Sequence, residues 1–125
     1  MKRIIFSPAA RAKLCSHLER GLARSLSIGG ERITAEVHDF VTAIKRHQGP
    51  LAIEVHRGFV PVAPTALPVN KLARLQILDA LERDTNGVPP KPHDGHPRGT
   101  VCYAARSFIA ALDTCGPVHL SLLAA

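Results

Sequence analysis

Leu14, Leu18, Leu22 and Leu26 recur every fourth residue, which draws one apolar stripe along a helix. Ser7 and Pro8 precede it; a serine can cap the helix, and a proline suits its first position. The stretch "SIGG" at 27–30 stops it. A second helix is predicted where Ile33, Val37, Phe40, Val41 and Ile44 share a face. It closes with Lys45, Arg46 and His47 in the last turn and Gly49-Pro50 beyond, an order that suits the helix dipole and then forbids continuation. "LAIEV" alternates as a half-buried strand, "HRG" can turn it, and "FVPV" is expected to return as an edge strand, since Pro61 cannot donate to a ladder. A third helix follows Asn70 as N-cap, with Leu72, Leu75, Leu78 and Leu81 on its apolar face, widened by Ile77 and Ala80. A fourth runs from about Thr100 to Thr114, ends at Gly116-Pro117, and leads into the alternating strand "VHLSLL". "KRIIF" at the start reads as a first strand.

The second half of this pattern repeats the first. "AARAKLCSHLER" and "LARLQILDALER" share Ala-Arg and Leu-Glu-Arg at matching spacing, and "GPLAIEV" and "GPVHLSL" both set Gly-Pro before a strand. The halves align if the second carries four extra residues in its interhelix connector. The fold expected is α+β: four main helices with a small, mainly antiparallel sheet, built from two similar helix–helix–strand halves. Residues 1–125 form one compact domain, with halves 1–62 and 69–125 joined by a Pro-rich segment, 63–68.

Composition agrees with a folded domain. The chain has 125 residues, 46% of them hydrophobic, enough for a core and too many for a disordered segment. No window approaches the run of about 20 apolar residues that a membrane span needs. The start, "MKRIIFSPAARAKL", has no apolar h-region and does not read as a signal peptide. Three cysteines without zinc-ribbon spacing read as reduced thiols, hence a cytoplasmic protein with no membrane contact. The net charge of +6 is uneven. Up to Val62 there are ten Lys/Arg against five Asp/Glu, and beyond it six against five. A local basic excess points to a polyanionic partner.

Candidate chemistry is sparse. "NGVPPKPHDGHPRGT" at 86–100 holds His93 and His96, with Cys102 close behind. A zinc site needs about four ligands in tetrahedral reach, and neither Cys115 nor His119 supplies a diagnostic spacing for the remainder. Cys102 near a helix start, with His93 or His96 as base and Asp94 as orienter, is a Cys-His arrangement of general type; its apolar neighbours instead suit a buried, inert thiol. The loop reads as a proline-stiffened connector in the place of the shorter "SIGGER", and the chain as non-enzymatic, with no cofactor and no metal. The basic positions carry more. Lys13, His17, Arg20 and Arg24 lie four, three and four apart, on one helical face opposite the leucines and with no acid among them. Lys2 and Arg3 precede them, Lys45 and Arg46 close the next helix, and Arg57 sits in the "HRG" turn. These nine are the candidate contacts to nucleic acid or another partner. Four Phe, one Tyr and no Trp argue against a single-strand binder that stacks bases on aromatics.

"RLQILDAL" followed by "GTVCYAARSFIAALDTCGPVHLSL" resembles the winged helix-turn-helix pattern, in which a helix begins at a Thr-Val-like step, carries an Arg, ends at a Gly and enters the wing strand. The matching positions are Thr100, Val101, Arg106, Leu112, Gly116 and Val118. "EVHDFVTAIKRHQGPLAIEVHRGFVPV" follows the same course, with His56-Arg57-Gly58 at the wing tip. The pattern departs in two places: the fourth helix offers few polar side chains to base edges, and the Pro-rich loop replaces the helix that precedes a recognition helix. The resemblance implies DNA binding. The expected function is a small basic accessory or regulatory protein that binds nucleic acid, double-stranded, through its first half. The alternative is an interaction protein that docks on, and regulates or inhibits, a protein or nucleoprotein assembly by way of an acidic surface.

Overall fold

The computed structural model describes residues 2–29, 33–58, 66–85 and 103–125, and their side chains except those of 24–29. The elements run β1 (Lys2–Phe6), α1 (Pro8–Gly29), α2 (Ala35–Arg46), β2 (Leu51–Arg57), β3 (Leu67–Val69), α3 (Lys71–Thr85), α4 (Tyr103–Leu112) and β4 (Val118–Ala124). The sheet has the order β1-β2-β4-β3, and each neighbouring pair is antiparallel. The fold is α+β, with four helices and a four-stranded antiparallel sheet among the described residues.

The strands alternate as their sequences require. Ile4 and Phe6 of β1, Leu51, Ile53 and Val55 of β2, Val118 and Leu120 of β4 and Val69 of β3 join the core with the helices. Leu14, Leu18 and Leu22 of α1, Val37, Phe40 and Ile44 of α2, Ile77 and Leu81 of α3 and Phe108 and Leu112 of α4 meet them. Phe108 is the centre of this core: its ring stacks on Phe40 at 5.7 Å and meets the edge of Phe6 at 6.3 Å.

The internal duplication becomes β–α–α–β. Ser7 and Asn70, 63 residues apart, each cap a helix, Ser7 Oγ accepting from the Ala10 amide at 3.1 Å and Asn70 Oδ1 from Ala73 at 2.8 Å. Arg11 and Arg74 share that spacing. Arg11 donates to the Ile44 carbonyl (3.2 Å) and Arg74 to that of Leu112 (3.0 Å), so each ties the first helix of its half to the end of the second. Gly49 and Gly116 turn the chain at φ +77 and +76, a region that L side chains avoid, and a proline follows each. Glu54 and Ser121, also equivalent, face one another across β2 and β4. A pseudo-twofold axis therefore passes through the middle of the sheet. From α1/α3 to α2/α4 the offset grows from 63 to 68, then falls to 67 at the Gly-Pro turns. Five residues are gained between the helices and one is lost before the last strand, a net of four.

The structure corrects three expectations. Leu67 and Pro68, placed in the joining segment, belong to β3; the strand is too short to show alternation, and it lies at the sheet edge, where proline is tolerated. Leu72 and Leu75 are 49% and 43% exposed. A three-residue spacing falls about 60° short of a full turn at each step, so the row of leucines winds off the buried face, which instead follows Ala73, Ile77, Leu81 and Asp84. Finally, β1 and β4 occupy both sides of β2, so β2 lacks the hairpin partner that the winged-helix resemblance implies. Residues 59–62, expected to return beside it, lie outside the described residues, as does the loop at 86–102.

Candidate functional site

Sheet register decides which polar groups stand at each end of the sheet and on which of its faces. Lys2 stands opposite Val55 and Arg3 opposite Glu54. Arg57 lies two residues past Val55 on the neighbouring strand. Lys2, Arg3 and Arg57 are all exposed and lie at one end of the sheet, Arg3 on the outer face and Lys2 and Arg57 in phase with the core-facing Ile4, Phe6, Ile53 and Val55. On the outer face, Arg3, Glu54 and Ser121 form one cross-strand row, and His56 and His119 the next. Arg3 Nη1 is 3.9 Å from Glu54 Oε2, and Glu54 Oε1 is 3.4 Å from His56 Nε2. The two imidazoles stack at 4.9 Å with 1° between their planes, and His119 Nδ1 donates to the Gly58 carbonyl at 3.1 Å. His119 is 1% exposed, so of this row only His56 is partly open to solvent. At the opposite end of the same face stand Ile5, Ala52 and Leu123, an apolar row. The pseudo-twofold carries His56 onto Leu123 and His119 onto Ala52, so the two ends have diverged into one polar and one apolar.

A second cluster lies where α1 crosses α3. His17 Nδ1 donates to Asp84 Oδ2 at 2.6 Å, and Arg20 grips both carboxylate oxygens, with Nε 3.0 Å from Oδ1 and Nη2 2.9 Å from Oδ2. Burial by itself would raise the Asp84 carboxyl. The hydrogen bonds and charges of Arg20 and His17 outweigh it and hold the carboxyl below its ordinary range. Arg20 is raised in turn, chiefly by its hydrogen bond to Asp84. The pseudo-twofold relates His17 to Ala80 and Asp84 to Gly21. At the equivalent point, Gly21 lies against the Ala80 backbone so closely that a Cβ would strike the carbonyl oxygen. One end of this crossing is thus held by an ionic triad and the other by bare backbone approach.

The nine candidate residues are split among three places. Lys2, Arg3 and Arg57 come together at the sheet end. Lys45 and Arg46 stand at the C-terminus of α2, where Lys45 Nζ pairs with Glu19 Oε1 at 3.1 Å and Arg46 is exposed. Of the α1 stripe, Lys13 is partly buried, the side chain of Arg24 lies outside the described residues, and Arg20 is engaged with Asp84. His17 departs from the reading of an exposed face: it is 5% exposed, because α3 covers that flank and supplies an acid that a single-helix view does not contain. His93, His96, Cys102 and Asp94 lie outside the described residues. Cys15 is buried, and that burial raises its thiol pKa, the setting of an inert cysteine. Among the described residues no three His, Cys, Asp or Glu converge as a metal site, and no described helix is long and apolar enough to cross a membrane.

Sequence reasoning missed Asp84, Glu54 and Ser121, and weighed His119 only as a zinc ligand. The duplication held the signal for two of them, since Glu54 and Ser121 occupy equivalent places in two strands that the symmetry axis must pair. No protein-family model, curated protein or solved structure matches the chain.

Proposed function

We propose that this protein is a non-enzymatic binder of double-stranded nucleic acid, which it holds by its phosphates at the basic end of the sheet. What supports this reading is the gathering of Lys2, Arg3 and Arg57, three exposed cations on two adjacent strands. Phosphate neutralisation by such groups supplies most sequence-independent affinity. Lys and Arg at a sheet end suit contacts to the phosphate backbone, which position the duplex without reading its sequence.

A second reading, docking on an acidic protein or nucleoprotein surface, is favoured by Leu72 and Leu75, exposed one turn apart on α3. Fluorescence anisotropy titrations of the protein into labelled duplex DNA, single-stranded DNA, duplex RNA and an acidic peptide of equal charge separate the two. Duplex binding at least tenfold tighter than the peptide, weakening steeply with salt, is the expected result. Equal affinity for the peptide and the duplexes favours the second reading, and no measurable binding to any nucleic acid at low salt rejects the first.

A further inference from the structure

The duplication exposes a difference between two equivalent grooves. In the first half, α1 and α2 are bridged across their outer surface by Lys45 and Glu19 at 3.1 Å. The equivalents in the second half are Asp113, 68 residues after Lys45, and Glu82, 63 after Glu19. The cation has become an acid while its partner acid has stayed. Leu22, 8% exposed in the first half, is replaced by the smaller Thr85. The second groove is accordingly open: about 270 Å³ lined by Glu82, Thr85, Arg106, Ile109, Ala110 and Asp113. Neither Glu82 nor Asp113 has an ion-pair partner among the described residues.

We propose that the α3–α4 groove binds a primary alkylammonium group, held by Glu82 and Asp113 where the first half places the ammonium of Lys45. The first half shows this chemistry at the equivalent place, an amine at the end of a straight alkyl chain seated on the equivalent glutamate. Ile109 and Ala110 form an apolar strip for the alkyl chain. Arg106 stands seven residues before Asp113, about 10 Å along the helix, and selects for an anionic group at the far end of the ligand. The favoured ligand is therefore a linear amino carboxylate rather than a diamine. This site is independent of the basic sheet end.

The test is a titration of the full chain with 6-aminohexanoate, hexylamine and 1,6-diaminohexane, followed by NMR shifts of Thr85, Ile109 and Ala110. Saturable shifts with 6-aminohexanoate, weaker with the diamine, are expected. Asp113→Lys rebuilds the ion pair of the first half; it should close the groove and weaken binding at least about tenfold, the loss of a charge-assisted bond. Glu82→Gln gives the same reading should the lysine variant not fold. Arg106→Ala should weaken 6-aminohexanoate by about two- to five-fold, the range of an exposed ion pair, and leave hexylamine unchanged. Absence of saturable shifts in the wild type up to tens of millimolar overturns the proposal, as do shifts that persist in folded Asp113→Lys and in Glu82→Gln.

Discussion

Asp84 shows how a single residue can reverse the meaning of a sequence pattern. Its carboxylate is almost wholly buried, and it is satisfied by His17 and by both ends of the Arg20 fork. Asp84→Asn leaves Arg20 without its anion and removes a charge-assisted acceptor; a cost of about 2–4 kcal/mol follows, moderated because Arg20 remains half in water. Urea unfolding at pH 7 measures it. The pH dependence has a fixed sign. The folded pKa of Asp84 is depressed, so its contribution is complete above the unfolded value of about 3.9 and is lost as pH falls through the lower folded value. The gap in stability between wild type and Asp84→Asn should thus shrink as pH falls below about 4. A gap that stays constant to pH 2 would contradict it. Gly21 tests the other end of the crossing. In an exposed helix, Gly→Ala stabilises by about 1 kcal/mol; here the new methyl meets the Ala80 carbonyl, so Gly21→Ala should lower the melting temperature.

At the scale of elements, Arg74 and Arg11 are equivalent but unequal. Arg74 is 4% exposed and donates to Leu112 O and, through Nε, to Gly116 O at 2.6 Å. Arg11 makes the first of these bonds, while its Nε is buried without a partner. Arg74→Met should therefore destabilise by about 2–3 kcal/mol, since two buried carbonyls lose a charged donor, and Arg11→Met by clearly less. Denaturant unfolding of both variants settles the order, and equal losses would contradict it. The same elements show what the sequence disclosed. α1 and α2 were legible because their apolar residues keep helical period and their ends carry recognisable caps and stops. The leucines of α3 misled because a spacing of three drifts around the helix. β3 was hidden by its length, and its pairing with β4 depends on partners 50 residues away. The basic stripe of α1 was legible as a stripe, but its exposure was not, because the acid that engages it comes from α3.

Across the whole molecule, duplication supplies the frame and divergence sets the two halves apart. The axis through Glu54 and Ser121 relates a polar end of the outer sheet face to an apolar one, and a salt-bridged pair of helices to a pair with an open groove. Three cations from β1 and β2 fall at one end of the sheet, Arg3 on the outer face and Lys2 and Arg57 on the opposite one, because an antiparallel register brings the start of the chain beside Arg57. Of the α1 cations, Arg11 and Arg20 by contrast are engaged in holding helices together. The central functional claim is that phosphates are bound by the sheet end and not by α1. The most direct measurement compares the salt dependence of duplex DNA affinity in wild type, in Lys2→Ala/Arg3→Ala/Arg57→Ala and in Lys13→Ala/Arg24→Ala. Each lost phosphate contact lowers the slope of log K against log salt by about 0.9. The account predicts that the sheet-end triple variant loses roughly two to three units of slope while keeping its fold, and that the α1 variant keeps the wild-type slope. A wild-type slope in the sheet-end variant, or a loss confined to the α1 variant, would contradict it.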